Sequence, residues 1–370
     1  MKLSVDRDRV VEDEIHLESL LGASERLLQQ CYDIGAPSVT SVRLSAESIS
    51  LTLRGPLRQL LDLRMYSALS VNLGDYEENA AQQFAPAVRA LRSSLETGVL
   101  SALELDGAPW AFRVDPIPDR FAVRDRIVEE LGWVNDPSGW HVNLTRSGRL
   151  LLAQIGAFYW SSRFPAMERI PASTTPVLAA LLVQLLKIGD GQRVYDPFCG
   201  SGTLLMEAAA TGRKDLTLLG SDHSRQGLAA AAQNRHLFPS ALIMRADAVK
   251  LPIADASVDR IVSNLPFGKR VGSHAVNMEL YPGFLAEVTR VLRADGRAVL
   301  MTDDKNLLRQ SVEQTRQIRV LREVKMESGG LHPSAFVLDR TRAARSQAKP
   351  GGRGRGKSAG HRSGAVAPGV

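Results

Sequence analysis

YDPFCGSGTLLMEAA, residues 195–209, divides into three pieces. A short apolar run ends at Asp196, a glycine-bearing loop follows, and a helical pattern opens near Thr203. Glycine lets the backbone of such a loop come close to a ligand, and the first N–H groups of a helix have no partner inside it. The loop lacks the G-K-[ST] ending of a phosphate cradle, and Gly200-Ser201-Gly202 does not extend into a G-x-G-x-x-G dinucleotide fingerprint. An acid placed just before the glycines repels a pyrophosphate and attracts an ammonium group.

Around this stretch, residues 174–338 alternate between strand and helix patterns. TPVLAALLVQLLKI reads as an amphipathic helix, and GQRVYDPFC, LTLLGSD, ALIMRAD, DRIVSNLPF and GRAVLMTD read as strands. Between them lie the helical patterns GTLLMEAAATG, RQGLAAAAQNRHLF and NMELYPGFLAEVTRVL. The segments IRVLREVKME and HPSAFVLDR close the region as a β pair. This spacing predicts an α/β fold with a mostly parallel sheet and an antiparallel edge.

On that frame Asp196, Asp222 and Asp247 end three consecutive strands, on the sheet edge where ligands bind. Any one of them alone could be a helix cap or the start of a loop. Taken together they match one ligand. Asp196 suits the ammonium of a methionine moiety, and Asp247 suits an adenine amino group. Asp222 lies about twenty residues past the glycine loop, where an acid takes ribose hydroxyls in doubly wound folds. The expected cofactor is S-adenosylmethionine.

VSNLPFG, residues 262–268, admits two readings. Asn, Pro and Gly are ordinary turn residues, and the phenylalanine could plug a gap. Alternatively, Asn264 and the backbone carbonyl after it hold a planar amino group while Phe267 stacks on the ring that carries it. The residues of this stretch leave both open.

The first ~165 residues are α+β in pattern and have room for a domain of their own. SVTSVRLSAESISLTL alternates like half-buried strands, and PLRQLLDLRMYSALSV and QQFAPAVRALRSSLETGVL read as helical. WAFRVDPIP reads as a strand, RDRIVEELGW as a helix, and WHVNLTRSGRLLLAQIGAF as a hairpin turning at Ser-Gly. SSRFPAMERIPASTTP, rich in Pro, Ser and Thr, marks the boundary. The charged start MKLSVDRDRVVEDE has no apolar h-region, so no signal peptide is expected, and no apolar run is long enough for a membrane span. The two cysteines, Cys31 and Cys199, and the seven scattered histidines form no metal-ligand pattern, so neither a disulfide scaffold nor a metal site is expected. A reducing, cytoplasmic setting fits. Cys199 is expected to pack beside the loop rather than act as a nucleophile, and Trp110, Trp133, Trp140 and Trp160 mostly to fill the core.

The net charge is +6, yet eight Lys/Arg and no acid lie from Arg340 onward, which leaves residues 1–339 at −2. The body is therefore not a basic surface as a whole. The Gly/Arg/Ser-rich tail is expected to be disordered, serving as a solubilising end or as a nonspecific phosphate-binding arm.

DPFCGSGTLLMEAA followed by GSDHS, RADA and NLPFG resembles a class I S-adenosylmethionine-dependent methyltransferase, most closely the RNA guanine-N2 methyltransferases that carry a THUMP domain ahead of the catalytic domain. The resemblance covers nearly all of residues 174–338. In the N-terminal half, LRMYSALSVNL, FRVDPIPDRFAVRDRIVEELGW and HVNLTRSGRLLLAQIGAF are similar to pieces of a ferredoxin-like segment plus THUMP. The fold it implies is a Rossmann-like methyltransferase domain behind an α+β half. The organisation would be a ferredoxin-like segment over 1–60, a THUMP-like RNA-binding domain over 61–160, a linker over 161–173, the methyltransferase domain over 174–338 and a basic tail over 339–370. The implied cofactor contacts are Asp196, Phe198, Cys199, Gly200, Gly202, Thr203, Asp222, Asp247 and Asn264. Asn264, Leu265, Pro266 and Phe267 would stand for the family's [D/N]-P-P-[Y/F] tetrapeptide, which holds an exocyclic amine; Leu265 departs from its first proline. Lys269 and Arg270, placed right after this turn, are read either as RNA-phosphate contacts or as a solvated loop pair. The implied activity is methyl transfer to guanosine N2 in tRNA by a monomer. The same tetrapeptide would also serve adenine N6 or a glutamine amide in rRNA, DNA or protein, and an RNA-binding scaffold without turnover is the non-enzymatic alternative.

Overall fold

The computed structural model describes residues 3–33, 38–76, 84–267, 273–327 and 330–341. In the C-terminal half, seven strands form one sheet: β1 Arg193–Asp196, β2 Thr217–Asp222, β3 Leu242–Arg245, β4 Val258–Asn264, β5 Leu292–Thr302, β6 Ile318–Lys325 and β7 Ser334–Arg340. Their order is β3-β2-β1-β4-β5-β7-β6. The first five are parallel, and β7 runs antiparallel to both β5 and β6. α1 Pro176–Leu186 precedes the sheet, and α2 Thr203–Ala209, α3 Arg225–Gln233, α4 His274–Val291 and α5 Lys305–Thr315 lie in the connections β1–β2, β2–β3, β4–β5 and β5–β6. The parallel sheet and its antiparallel edge agree with the sequence pattern. Because the strand order reverses between β1 and β4, a crevice opens beyond their C-terminal ends.

α1 departs from its reading as amphipathic. Every residue of it except Gln184 is buried. One side lies on β4 and β5, and the other joins an apolar cluster shared with the N-terminal half, including Leu60, Leu63 and Phe164. A helix that is apolar all round needs cover on both sides, and α2 together with this shared cluster supplies it.

That N-terminal domain is built on an eight-stranded sheet in the order Ser38–Leu44, Ser48–Pro56, Val10–Ser19, Tyr66–Asp75, Leu150–Ile155, Val142–Ser147, Ala111–Val114, Val134–Asn135. The expected hairpin is present, with Gly148 at φ +57° in its turn. PLRQLLDLRMYSALSV, however, is not one helix: only Arg58–Leu61 is helical, and Tyr66–Asp75 is a central strand. Strands from both sides of residue 60 share the sheet, so no sheet boundary falls there.

The two halves are joined by ions as well as by apolar packing. Arg64 makes a two-pronged pair with Glu207 of α2, Nε to Oε2 at 2.6 Å and an Nη to Oε1 at 2.7 Å. The Glu207 side chain is 1% exposed. Arg163 lies 3.7 Å from the Tyr66 ring centre and donates to the carbonyl oxygens of Leu63 and Tyr66. Trp160–Arg163 is thus a short helix gripping the N-terminal sheet, in a stretch expected to be linker. At the other end β7 runs to Arg340, which donates to Leu292 O at 3.0 Å, so residues 339 and 340 belong to the sheet rather than to the tail. The remainder of the tail, 342–370, lies outside the described residues. Among the described residues no helix is long and apolar enough to cross a membrane, and no group of His, Cys, Asp and Glu could hold a metal ion.

Candidate active site

β1 and β4 are neighbours, so Asp196 and Asn264 end side by side at the crevice. A cavity of about 740 Å³ opens there, lined by both residues, by Asp222 and Asp247 at the ends of β2 and β3, and by residues 170–174.

Asp196 is 1% exposed. Its Oδ1 accepts from Ser263 Oγ at 2.7 Å and from the Phe198 N–H at 3.1 Å. Burial pushes its pKa up to about 7 against those two bonds, and the nearby Asp222 charge adds to the rise. Asp222 clamps the loop to the next helix. Its Oδ2 accepts from the Gly200 N–H at 2.8 Å, and its Oδ1 from the Ser224 N–H at 2.7 Å. Ser224 in turn caps α3 by accepting from the Gly227 N–H. Asp247 is exposed, and its Oδ1 accepts from the Val249 N–H at 3.0 Å. It starts its own turn and lines the cavity as well, so the loop role and the site role coexist in one side chain.

Phe198, Cys199, Gly200 and Thr203 line the same cavity. Phe198 meets Phe284 edge-on at 5.1 Å. Cys199 is buried, and burial drives its thiol well above the usual range, which disfavours the nucleophilic thiolate. Gly200 adopts φ +48°, and a Cβ there would lie 3.6 Å from Ile170. Gly202 does not line the cavity. It holds φ +88°, and a Cβ would come within 2.4 Å of Phe238 Cζ, so packing rather than ligand approach requires this glycine.

The Asn264–Phe267 turn is pinned at several points. Leu265 buries its side chain in the core, 1% exposed, and its N–H donates to Met301 O at 2.9 Å. Tyr281 Oη donates to Pro266 O at 2.8 Å and bonds Thr302 Oγ1 at 2.8 Å. Asn264 Nδ2 donates to Thr174 Oγ1 at 3.1 Å, which orients the amide and leaves Oδ1 buried without a partner. A turn residue that needed its amide only for the turn would not strand a buried acceptor. Phe267 is half-buried on the cavity wall. Lys269 and Arg270 lie outside the described residues.

Thr174, Ser263 and Tyr281 leave no sign in the sequence, because each acts through a partner distant in the chain. Asn277 is another residue that no motif marks. It lines the cavity from α4.

Residues 167–334 match the family described as RMKL-like, methyltransferase domain. A Thermus thermophilus protein named tRNA (guanine(6)-N2)-methyltransferase is 38% identical over 182 residues, which are 49% of this chain and 53% of that protein. The Mus musculus protein named tRNA (guanine(6)-N(2))-methyltransferase THUMP3 is 32% identical over 189 residues, covering 47% of this chain and 37% of that one. The chain thus spans about half or less of the length of these relatives. The crystal structure of TrmN from Thermus thermophilus matches with a TM-score of 0.71 at 24% identity, over 89% of this chain and 99% of that chain. A shared fold therefore extends through the N-terminal half. Residues 167–334 are thus similar to RMKL-like methyltransferase domains and hold the parallel strands of the seven-stranded sheet, carried behind an α+β half.

Proposed function

We propose that this chain transfers a methyl group from S-adenosylmethionine to N2 of a guanosine in tRNA, with position 6 as the first candidate. The observation that carries the reading is Asn264, a buried acceptor held without a donor at the mouth of a cavity ringed by three strand-end carboxylates. The names of the relatives supply the substrate class.

The cavity fits the cofactor on its own chemistry. Asp196 is a buried carboxylate that lacks a cation, which the methionine ammonium would supply. Each Asp222 oxygen accepts one backbone N–H and keeps lone-pair capacity for ribose hydroxyls. Asp247 would take the adenine amino group. When bound, S-adenosylmethionine supplies the electrophilic methyl group. Guanine N2 is a weak nucleophile because its lone pair is delocalised into the ring. Asn264 Oδ1 and the Leu265 carbonyl accept from the amine, which favours a pyramidal nitrogen, and Phe267 stacks on the flipped-out base. Pro266, held by Tyr281, stiffens the turn. Positioning and electrostatics then supply most of the rate, and the proton leaves after transfer. The N-terminal half would grip RNA as a ferredoxin-like segment and a THUMP-like domain. Supporting this, Phe121 is 56% exposed and carries Arg120 and Arg124 over its ring at 4.6 and 5.2 Å. The setting would be the cytoplasm and the active form a monomer. Nucleoside mass spectrometry of tRNA with and without the gene tests the whole reading: N2-methylguanosine should disappear. Loss of methyladenosine instead, or no change, would overturn it.

The pH dependence of cofactor binding should follow Asp196. The free protein holds this group near pKa 7, against 3.8 for an ordinary aspartate, so it is protonated at pH 6. In the free protein the group therefore weakens the fold as pH rises from about 4 to about 7, where the folded state binds the extra proton. Pairing with an ammonium needs the carboxylate, so affinity should rise about tenfold per pH unit up to about 7 and then level off. Calorimetric titration should show this slope in the parent and lose it in Asp196→Asn. A flat profile in the parent would remove the ammonium role.

The tail should matter for affinity alone. With Arg340 in the sheet, deletion of residues 342–370 removes seven positive charges. For every phosphate that the tail had neutralised, the slope of log affinity against log salt should flatten by ~0.7–0.9. Turnover at saturating RNA should stay unchanged, since every lining residue precedes residue 281. An unaltered slope would move the RNA-binding surface to the N-terminal half.

A further inference from the structure

Asn277 stands in the first turn of α4, one turn before Tyr281 and on the same helix face. That face meets the Asn264–Phe267 turn, because Tyr281 donates to Pro266 O at 2.8 Å. Asn277 is 0% exposed and lines the cavity between Val276 and Leu280, and neither Nδ2 nor Oδ1 has a partner. A wholly unpartnered buried amide is rare and destabilising, and a leucine of the same branched shape would pack there at less cost. One donor and one acceptor are thus held ready at the wall of the site, beyond the reach of bulk water.

We infer that Asn277 is a specificity-determining residue that reads the N1–H and O6 edge of the target guanine while Asn264 takes its N2 amine. The inference rests on the function proposed above and names what selects the base. Along the edge of guanine the order is amine donor, N1–H donor, O6 acceptor. Asn264 Oδ1, Asn277 Oδ1 and Asn277 Nδ2 present acceptor, acceptor and donor, the complement that cytosine offers in a base pair. Adenine held by its N6 amine places a ring-nitrogen acceptor and then a C–H beside Asn277, so Oδ1 stays unpaired. A glutamine amide brings no second edge at all. The two asparagines therefore separate guanine from the other amines that the tetrapeptide alone could serve.

The test compares single-turnover methylation of tRNA carrying guanosine or 2-aminopurine at the target position. Both bases keep the N2 amine, and only guanine has N1–H and O6. In the parent, guanosine should react faster. Asn277→Leu should lower the guanosine rate by about 10²-fold, the discrimination of one bidentate base contact, and should leave 2-aminopurine within about threefold, so that the ratio collapses. Asn277→Ser, which fits the space the amide leaves, should collapse it as well. The melting temperature of Asn277→Leu should equal or exceed the parent's, because no bond is lost. S-adenosylhomocysteine affinity, read by calorimetry, should not change in either variant. A ratio kept at the parent's value in both variants overturns the inference while leaving the proposed activity standing. A parent enzyme that methylates neither RNA overturns the activity and the inference together.

Discussion

Asn264→Ala should lower the single-turnover rate of methylation by about 10²–10³-fold, the usual cost of removing one preorganised group aimed at developing charge. Cofactor affinity and RNA affinity should stay near the parent values. The reason is where the bond is made. Asn264 Oδ1 has no donor in the free protein, so the substitution breaks only the side-chain bond to Thr174. In the proposed reaction the hydrogen bond from the amine to Oδ1 would strengthen as the nitrogen becomes pyramidal and positive, so the loss would fall on the transition state and not on the ground state. Rapid-quench measurement with enzyme in excess over RNA isolates this step. A rate within a few-fold of the parent would mean that Asn264 is a turn residue only.

Asp222→Ala should weaken cofactor binding by roughly 10²-fold or more. On the proposed ribose role two charge-assisted hydrogen bonds would disappear, each worth ~1.5–3 kcal/mol before compensation. The structure adds a second contribution, because the same carboxylate holds the Gly200 and Ser224 N–H groups. Asp222→Asn separates the two, since it keeps the side chain's shape and one acceptor but surrenders the charge. The alanine variant should lose affinity further than the asparagine variant by calorimetric titration. If the folded alanine variant binds the cofactor as the parent does, the ribose role is wrong.

Much of the candidate site was legible in the sequence because its groups sit at strand ends, where local pattern and topology coincide. Asp196, Asp222 and Asn264 each close an apolar run, and a parallel sheet brings such closing residues to one edge. What could not be read acts across long chain separation. Thr174 meets Asn264 ninety positions away, and Tyr281 reaches Pro266 from the next helix. The N-terminal sheet was harder for a different reason. Tyr66–Asp75 buries both faces in the middle of its sheet, so it shows neither the alternation of a half-exposed strand nor a clear helical stripe. Val10–Ser19, its neighbour, is hidden because Asp13 interrupts the apolar pattern. That acid is nonetheless held inside by Ser94 Oγ at 2.5 Å and the Val99 N–H at 2.9 Å, and burial lifts its pKa to about 6.

Under the proposed function, the ion pair between Arg64 and Glu207 would also bear on how one nucleotide is chosen among many. Glu207 belongs to the helix that opens at the glycine loop, so the N-terminal sheet is bolted to the element that flanks the methyl donor rather than to the far side of the domain. If the N-terminal half grips RNA as proposed, the gripped stretch would be held at a set offset from the cavity. On the proposed function, selection along the RNA would then become a matter of length, as with a caliper: the guanosine at that span from the gripped end would be offered to Asn264, whatever its neighbours in sequence.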